Sequence, residues 1–186
     1  MKREEISSED QRCARVLEAA RFAARHHAGQ RRKGASAEPY IVHPLEVAQV
    51  LAEAGEEDSD VLVASVLHDV IEDTPVSAED LADRFGKRVA DFVREVSDDK
   101  SLPKVERKRL QIAHAPRLSP GAKRIRLADK ISNVRSMRHD PPAGWDAARR
   151  KEYVRWCMEV VNALRGIAPE LEARFDAAAR DADAAE

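Results

Sequence analysis

An all-α fold, a single helical bundle, follows from three observations on this sequence of 186 residues. Aromatic residues make up only 4% of it, and no run alternates β-branched with polar residues, so nothing reads as a sheet strand. Apolar residues recur instead at every third or fourth position through successive segments. Those segments are punctuated by serine, glycine and proline where helices start and stop. The length suits one domain over residues 1–186, with its core at about 14–170 and a tail, "DADAAE", expected to fray.

The elements follow in order. "RCARVLEAARFAARHHAG" places Val16, Leu17, Ala20, Ala23 and Ala24 on one stripe and stops at Gly29. A basic loop, "QRRKGASAEP", comes next. "HPLEVAQVLAEAG" is a helix with Pro44 in its first turn and Gly55 past its end, and His43 directly precedes it. "SDVLVASVLHDVIEDT" reads as one helix from a Ser59 cap to the stop at Pro75. "SAEDLADRFG" pairs Ser77 with Asp80 at capping-box spacing and closes at Gly86. "KRVADFVREVSDD" carries Val89, Phe92, Val93 and Val96 at helical spacing, and "PKVERKRLQIAHA" is a basic helix. "SPGAKRIRLADKISNVRSMRHD" turns Ile125, Ala128, Ile131 and Val134 inward. After the turn "PPAGW", the segment "DAARRKEYVRWCMEVVNALRGI" and the tail complete the bundle.

Composition excludes several classes. The net charge of −2 gives no global attraction to nucleic acid, and no apolar run is long enough to span a membrane. Two cysteines, Cys13 and Cys157, lack the spacing of a disulfide framework or a zinc site and suit a reducing compartment. The charged start "MKREEISSEDQR" has no apolar signal core, so a cytoplasmic location is expected. The oligomeric state stays open, a homo-oligomer included.

One stretch, "VASVLHDVIEDT", puts His68, Asp69, Glu72 and Asp73 into a segment otherwise built for burial. On a straight helix His68 would stack under Glu72 and Asp69 under Asp73. Unpaired buried carboxylates cost several kcal/mol, and a divalent cation would compensate, since imidazole and carboxylate are its ordinary ligands. Alone, a His-Asp pair is as readily a plain hydrogen-bonded or exposed pair. His43 alone could cap its helix, and Asp129 alone could pair with Lys130 or Arg126. Together His43, His68, Asp69 and Asp129 offer two nitrogens and two oxygens from three helices, with coordination positions left for water and substrate.

The pattern H…HD…D on a helical domain resembles the HD-domain phosphohydrolases. The blocks "QRRKG", "PYIVHPLEVA", "LHDVIEDT", "FGKRVADFVREVSDDKSLPKVERK" and "AKRIRLADKISNV" resemble the hydrolase domain of the RelA/SpoT alarmone enzymes, and above all the single-domain small alarmone hydrolases, over about residues 14–170. The resemblance implies a metal-dependent (p)ppGpp 3′-pyrophosphohydrolase. It implies His43, His68, Asp69 and Asp129 as ligands of one metal, usually Mn²⁺. It implies Glu72 and Asp73 as the pair that orients or deprotonates the attacking water, and Asn133 as a residue near the sugar and metal. Arg32, Lys33, Lys104, Arg149 and Tyr153 are implied as contacts to the nucleotide. Gly34 departs from relatives, which often carry Asp there. The 186 residues hold no counterpart of a synthetase domain. The alternatives are another nucleotide substrate, such as the 2′-phosphate of NADPH, and a non-catalytic alarmone-binding module; the latter would need damaged metal or acid positions, and all are intact.

Hydrolysis of a 3′-diphosphate also needs cations for the phosphate oxygens. Arg31, Arg32, Lys33, Lys100, Lys104, Arg107 and Lys108 supply them, and roughly half are expected to face solvent alone. Plainer readings hold elsewhere. Tyr153 falls on an apolar stripe with Cys157, Val160 and Leu164, and Trp145 packs at a turn. Glu46 and Asp60 read as surface or capping residues, and Asp98 and Asp99 as a cap or loop anchor. His26, His27, His114 and His139 have no partners at ligand spacing.

Overall fold

The computed structural model describes residues 7–184. Among them no strand occurs, only isolated β-bridges in the loop between the first two helices and from that loop to the turn at Pro142. Helix α1 (Ser8–His26) starts at Ser7, whose hydroxyl accepts the Asp10 N–H at 3.0 Å. Its buried residues are Ala19 and Ala23, which lie against α3, while Leu17 is 69% exposed. The expected stripe holds at Ala23, with Val16 and Ala20 packed against the core, but not at Leu17, which lies about 200° round from Ala19.

Helix α2 (Val42–Glu53) begins one residue before His43, so that residue sits in the first turn rather than ahead of it. Helix α3 (Ser59–Leu67) is capped by Asp58, not Ser59, and buries every residue from Val61 to Leu67. The long helix expected to Thr74 does not run straight. It loosens at His68–Asp69, where Asp69 has φ −99° and ψ −4°, and resumes as α4 (Val70–Asp73). Side chains compete for the ladder there: the Ser65 hydroxyl donates to Leu62 O at 2.7 Å, and His68 Nδ1 takes Ser65 O at 2.8 Å.

Helices α5 (Ala78–Phe85) and α6 (Lys87–Val96) meet at Gly86, with φ +95°, after the expected Ser77–Asp80 capping box. Val89, Phe92, Val93 and Val96 are all buried, as their spacing predicts. Helix α7 (Lys104–His114) has no buried residue. Helix α8 (Pro120–His139) is the axis of the fold, packed by α2, α3, α6, α9 and α10. It is buried on nearly every side, carrying Arg126, Asp129, Lys130 and Ser132 inside along with its aliphatic residues. Helices α9 (Ala147–Asn162) and α10 (Pro169–Asp183) close the bundle. The tail is helical through Asp183, and its last two positions, 185–186, lie outside the described residues. No helix among the described residues is long and apolar enough to cross a membrane.

Candidate active site

Three helices bring four side chains to one point. His43 Nε2 from α2 lies 3.3 Å from Asp129 Oδ1 on α8 and 3.7 Å from Asp69 Oδ2. His68 Nε2 lies 3.1 Å from Asp69 Oδ2 and 3.9 Å from Asp129 Oδ1. Ligand atoms of His43, His68 and Asp69 all fall within 4.8 Å of one another. Metal bonds of about 2.0–2.2 Å would set neighbouring ligand atoms about 3 Å apart and opposite ones a little over 4 Å.

The donor chemistry fits as well as the spacing. The other ring nitrogen of each imidazole is already engaged: His68 Nδ1 with Ser65 O, and His43 Nδ1 with Ser132 Oγ at 2.9 Å. That leaves both Nε2 lone pairs facing carboxylate oxygens, and buried His68 Nε2 has no hydrogen bond of good geometry. Two Nε2 lone pairs set against two carboxylates favour a cation between them. In the metal-free protein a proton serves: burial disfavours a charged His68, but the Asp69 and Asp129 carboxylates outweigh it and lift its pKa to about 9. Burial keeps His43 below the usual histidine value. The described residues therefore include a His/Asp cluster able to hold a divalent metal.

The Asp69 carboxylate is also held from the side. Tyr40 donates its O–H to Asp69 Oδ2 at 2.5 Å, and burial followed by Asp69 pushes the Tyr40 phenol far up, so it remains a donor. Asp129 Oδ1 accepts from Asn133 Nδ2, and its Oδ2 from Lys130 Nζ at 3.0 Å. Lys130 is itself buried, with its ammonium 4.5 Å from the centre of the Trp156 ring.

Because the helix loosens at Asp69, Glu72 and Asp73 do not simply stack on the His-Asp pair. They turn toward the loop before α7. Glu72 Oε2 accepts the Asp98 N–H at 3.0 Å, and its Oε1 lies 3.5 Å from Lys100 and 3.7 Å from Arg107. Asp73 pairs closely with Lys100, and its carbonyl accepts from Gln30 Nε2 at 2.7 Å. Burial raises the pKa of Glu72 above the ordinary carboxylate value, with Asp69 adding to it.

These groups line a cavity of about 640 Å³, whose walls include His43, Asp69, Glu72, Asp73, Asp129 and Asn133. Arg31, Arg32, Lys33, Lys104, Arg107 and Lys108 line the same cavity and supply its cations. A side lobe of about 270 Å³ shares Arg32, Lys33, Tyr40, Lys104, Asn133 and Tyr153 and extends to Ser136 and Trp145. Partial desolvation and the neighbouring charges of Lys108, Lys33, Arg149 and Arg107 lower the pKa of Lys104. Arg149 is outside the lining of both spaces; it stacks on Trp145 at 4.6 Å and acts on the cavity through its field.

Sequence reasoning missed several members. Tyr40 lies inside a block singled out for resemblance but was given no role. Glu46, read as a surface or capping residue, is partly exposed and also accepts the Ser132 hydroxyl at 2.7 Å between α2 and α8. Trp145 does pack at its turn, yet it also bounds the side lobe. Asp98 anchors a loop, as one reading had it, by accepting from Gln111 while its N–H holds Glu72. Helical spacing could have flagged Ser132 and Glu46, each three residues beyond an expected ligand.

An all-helical bundle with histidines and aspartates gathered at the floor of a cationic cleft defines an HD-type protein. The HD-domain family model matches residues 19–166, and this chain belongs to that family. It is 49% identical to the guanosine-3′,5′-bis(diphosphate) 3′-pyrophosphohydrolase MESH1 of Xenopus tropicalis over 164 residues, 88% of this chain and 92% of that one. It is 49% identical to the human protein of the same name over 160 residues, 86% of this chain and 89% of that one. Among solved structures it resembles a metazoan orthologue of SpoT, described as hydrolysing ppGpp, with a TM-score of 0.86 and 43% identity over 96% of this chain and 97% of that one.

Proposed function

We propose that this chain is a metal-dependent guanosine-3′,5′-bis(diphosphate) 3′-pyrophosphohydrolase, one domain over residues 1–186, that converts (p)ppGpp to GDP or GTP and pyrophosphate. The observation that carries it is the meeting of His43, His68, Asp69 and Asp129, three of them lining a cavity that Lys33, Lys104, Arg107 and Lys108 line as well. These four would hold the metal, Mn²⁺ in this reading, which supplies Lewis-acid polarisation of a phosphoryl oxygen and a lower pKa for bound water.

The chain's own groups do the rest. Glu72 takes the proton of the attacking water, whose oxygen bonds to the phosphorus carried on O3′ while the bond from phosphorus to O3′ breaks and O3′ leaves as the 3′-hydroxyl with a proton from solvent. Its raised pKa makes it a stronger base than an exposed carboxylate, and the Asp98 N–H fixes its orientation. Asp73 holds Lys100 beside it. Lys104, Arg107 and Lys108 take the charge of the pyrophosphate and the 5′-phosphates, which is most of what phosphoryl transfer asks of a protein. Arg32, Lys33, Asn133 and Tyr153 line the lobe that would receive the nucleoside. Both cysteines are free thiols, in keeping with a cytoplasmic setting.

The test is a product assay on protein reconstituted with Mn²⁺, given ppGpp and, separately, NADPH, with a chelator control and the Asp69→Ala variant. GDP plus pyrophosphate, lost with chelator and variant, supports the reading. Turnover of NADPH alone keeps the site and removes the alarmone. Binding of ppGpp without turnover of either makes the chain a binding module.

A further inference from the structure

The metal floor has an outer support that the reaction itself does not explain. His43 and Glu46 lie three apart on α2, so both project toward α8. Between them stands Ser132, which is completely buried. The Ser132 hydroxyl gives its single proton to Glu46 Oε2 at 2.7 Å. Toward the imidazole that oxygen therefore has only lone pairs, and His43 Nδ1, 2.9 Å away, must be the donor. The far end is steadied in turn, with Arg135 Nη1 3.8 Å from Glu46 Oε1. The direction of each bond is fixed by the one before it.

We propose that Glu46 and Ser132 are positioning residues that hold His43 as the Nδ1–H tautomer, with its Nε2 lone pair aimed into the His/Asp cluster. The proposal rests on the metal reading above. It assigns Glu46, a half-exposed carboxylate outside the cavity, a part in metal affinity that neither burial nor surface solvation gives it. His68 gets the same service from a backbone carbonyl, Ser65 O, which no side-chain substitution can remove. His43 depends on two side chains, so its half of the site is the tunable one. Partners of this kind typically change metal affinity by about 10–100-fold when lost.

The experiment measures the Mn²⁺ dissociation constant of metal-stripped wild type, Ser132→Ala, Glu46→Ala and Glu46→Gln, and records long-range ¹H–¹⁵N correlations of the His43 ring in each. Wild type should show the Nδ1–H tautomer. Ser132→Ala and Glu46→Ala should bind Mn²⁺ about 10–100-fold more weakly and show mixed tautomers. Glu46→Gln keeps an acceptor oxygen for Ser132, so it should restore both readouts, which a merely structural or charge role would not predict. Should Ser132→Ala fail to fold, Glu46→Ala, on the half-exposed face of α2, carries the test. Wild-type affinity and tautomer in a folded Glu46→Ala would overturn the relay. Wild-type protein that takes up neither Mn²⁺ nor Zn²⁺ would overturn the metal reading itself, and the relay with it, before any variant is compared.

Discussion

Replacing Glu72 by Gln separates chemistry from binding. Gln is nearly isosteric and keeps a carbonyl oxygen for the Asp98 N–H, now 3.0 Å from Glu72 Oε2. It does not touch the His/Asp cluster, so metal content should be unchanged. It cannot take a proton. Loss of a general base costs about 10²–10⁴-fold, or about 2.7–5.4 kcal/mol of transition-state stabilisation, and kcat should fall by that factor with little change in KM. The pH profile gives a second readout. Burial raises the pKa of Glu72, so the acid limb of kcat/KM in wild type should lie above the usual 4.5 and vanish in Glu72→Gln.

Stability should move the other way. A carboxyl whose pKa is raised in the folded state binds its proton more tightly there than in the unfolded chain. Folding is therefore favoured while it is protonated, and that advantage is lost as pH rises through the folded value. Near pH 7 the ionised Glu72 is a cost, so Glu72→Gln should melt at or above the wild-type temperature, with the difference closing below pH 4.5. The assays are steady-state pyrophosphate release across pH, metal analysis and thermal melts. Full turnover in Glu72→Gln would end its assignment as base; loss of metal would place it among the ligands instead.

Further expectations follow from the same geometry. Metal uptake should be proton-linked, because His68 carries a proton up to about pH 9 in the metal-free protein: Mn²⁺ affinity should rise by up to about tenfold per pH unit and level off near that value, and affinity flat with pH would show His68 unprotonated beforehand. Lys104→Ala should raise KM for ppGpp and weaken its dependence on salt, measured by initial rates between low and high ionic strength, because Lys104 sits in a cation cluster, where desolvation and then the neighbouring charges lower its pKa. Gly121→Ala should cost about 1–3 kcal/mol in urea denaturation, since a Cβ there would stand 2.6 Å from the Phe92 ring and 3.1 Å from Val61; an unchanged midpoint would mean that α8 does not press on α6 and α3 as described.

The helices were legible because their signals are local. Ser77–Asp80, Gly86 and the Val89–Val96 spacing act within one or two turns, and the structure agrees with each. On α1, Val16, Ala20 and Ala23 agree with the stripe and Leu17 does not, because periodicity marks a face only to within about a residue. His43, His68, Asp69 and Asp129 stood out because ionisable groups in apolar helices carry a cost that demands a partner. Tyr40, Ser132 and Glu46 did not, because an aromatic, a serine and a half-exposed glutamate are unremarkable until a distant helix is known to pass beside them. The loosening at His68–Asp69 was hidden for a similar reason. Nothing in "VASVLHDVIEDT" breaks a helix by propensity; side-chain bonds to Leu62 O and Ser65 O compete with the ladder.

The charge balance at the floor carries one more consequence. Asp69 and Asp129 are both held below the usual carboxylate range in spite of burial, Asp69 chiefly by His68 and Asp129 chiefly by Lys130. Lys130 pairs with Asp129, while Lys100 and Arg107 attend Glu72 and Asp73 instead. In the metal-free protein two carboxylates against the Lys130 ammonium and the protonated His68 leave the floor neutral, and a divalent ion that displaces the His68 proton makes it cationic. A phosphate group meets no net attraction in the first case and attraction in the second, at short range in a cavity that screens poorly. Metal should therefore be needed to hold the nucleotide as well as to cleave it. In Glu72→Gln, where turnover is slow enough to measure binding, removing the metal should weaken ppGpp affinity by at least about tenfold, roughly 1.4 kcal/mol. Equal affinity with and without metal would mean that the cationic wall of Lys33, Lys104 and Lys108 binds the phosphates alone, and that the floor serves the chemistry only.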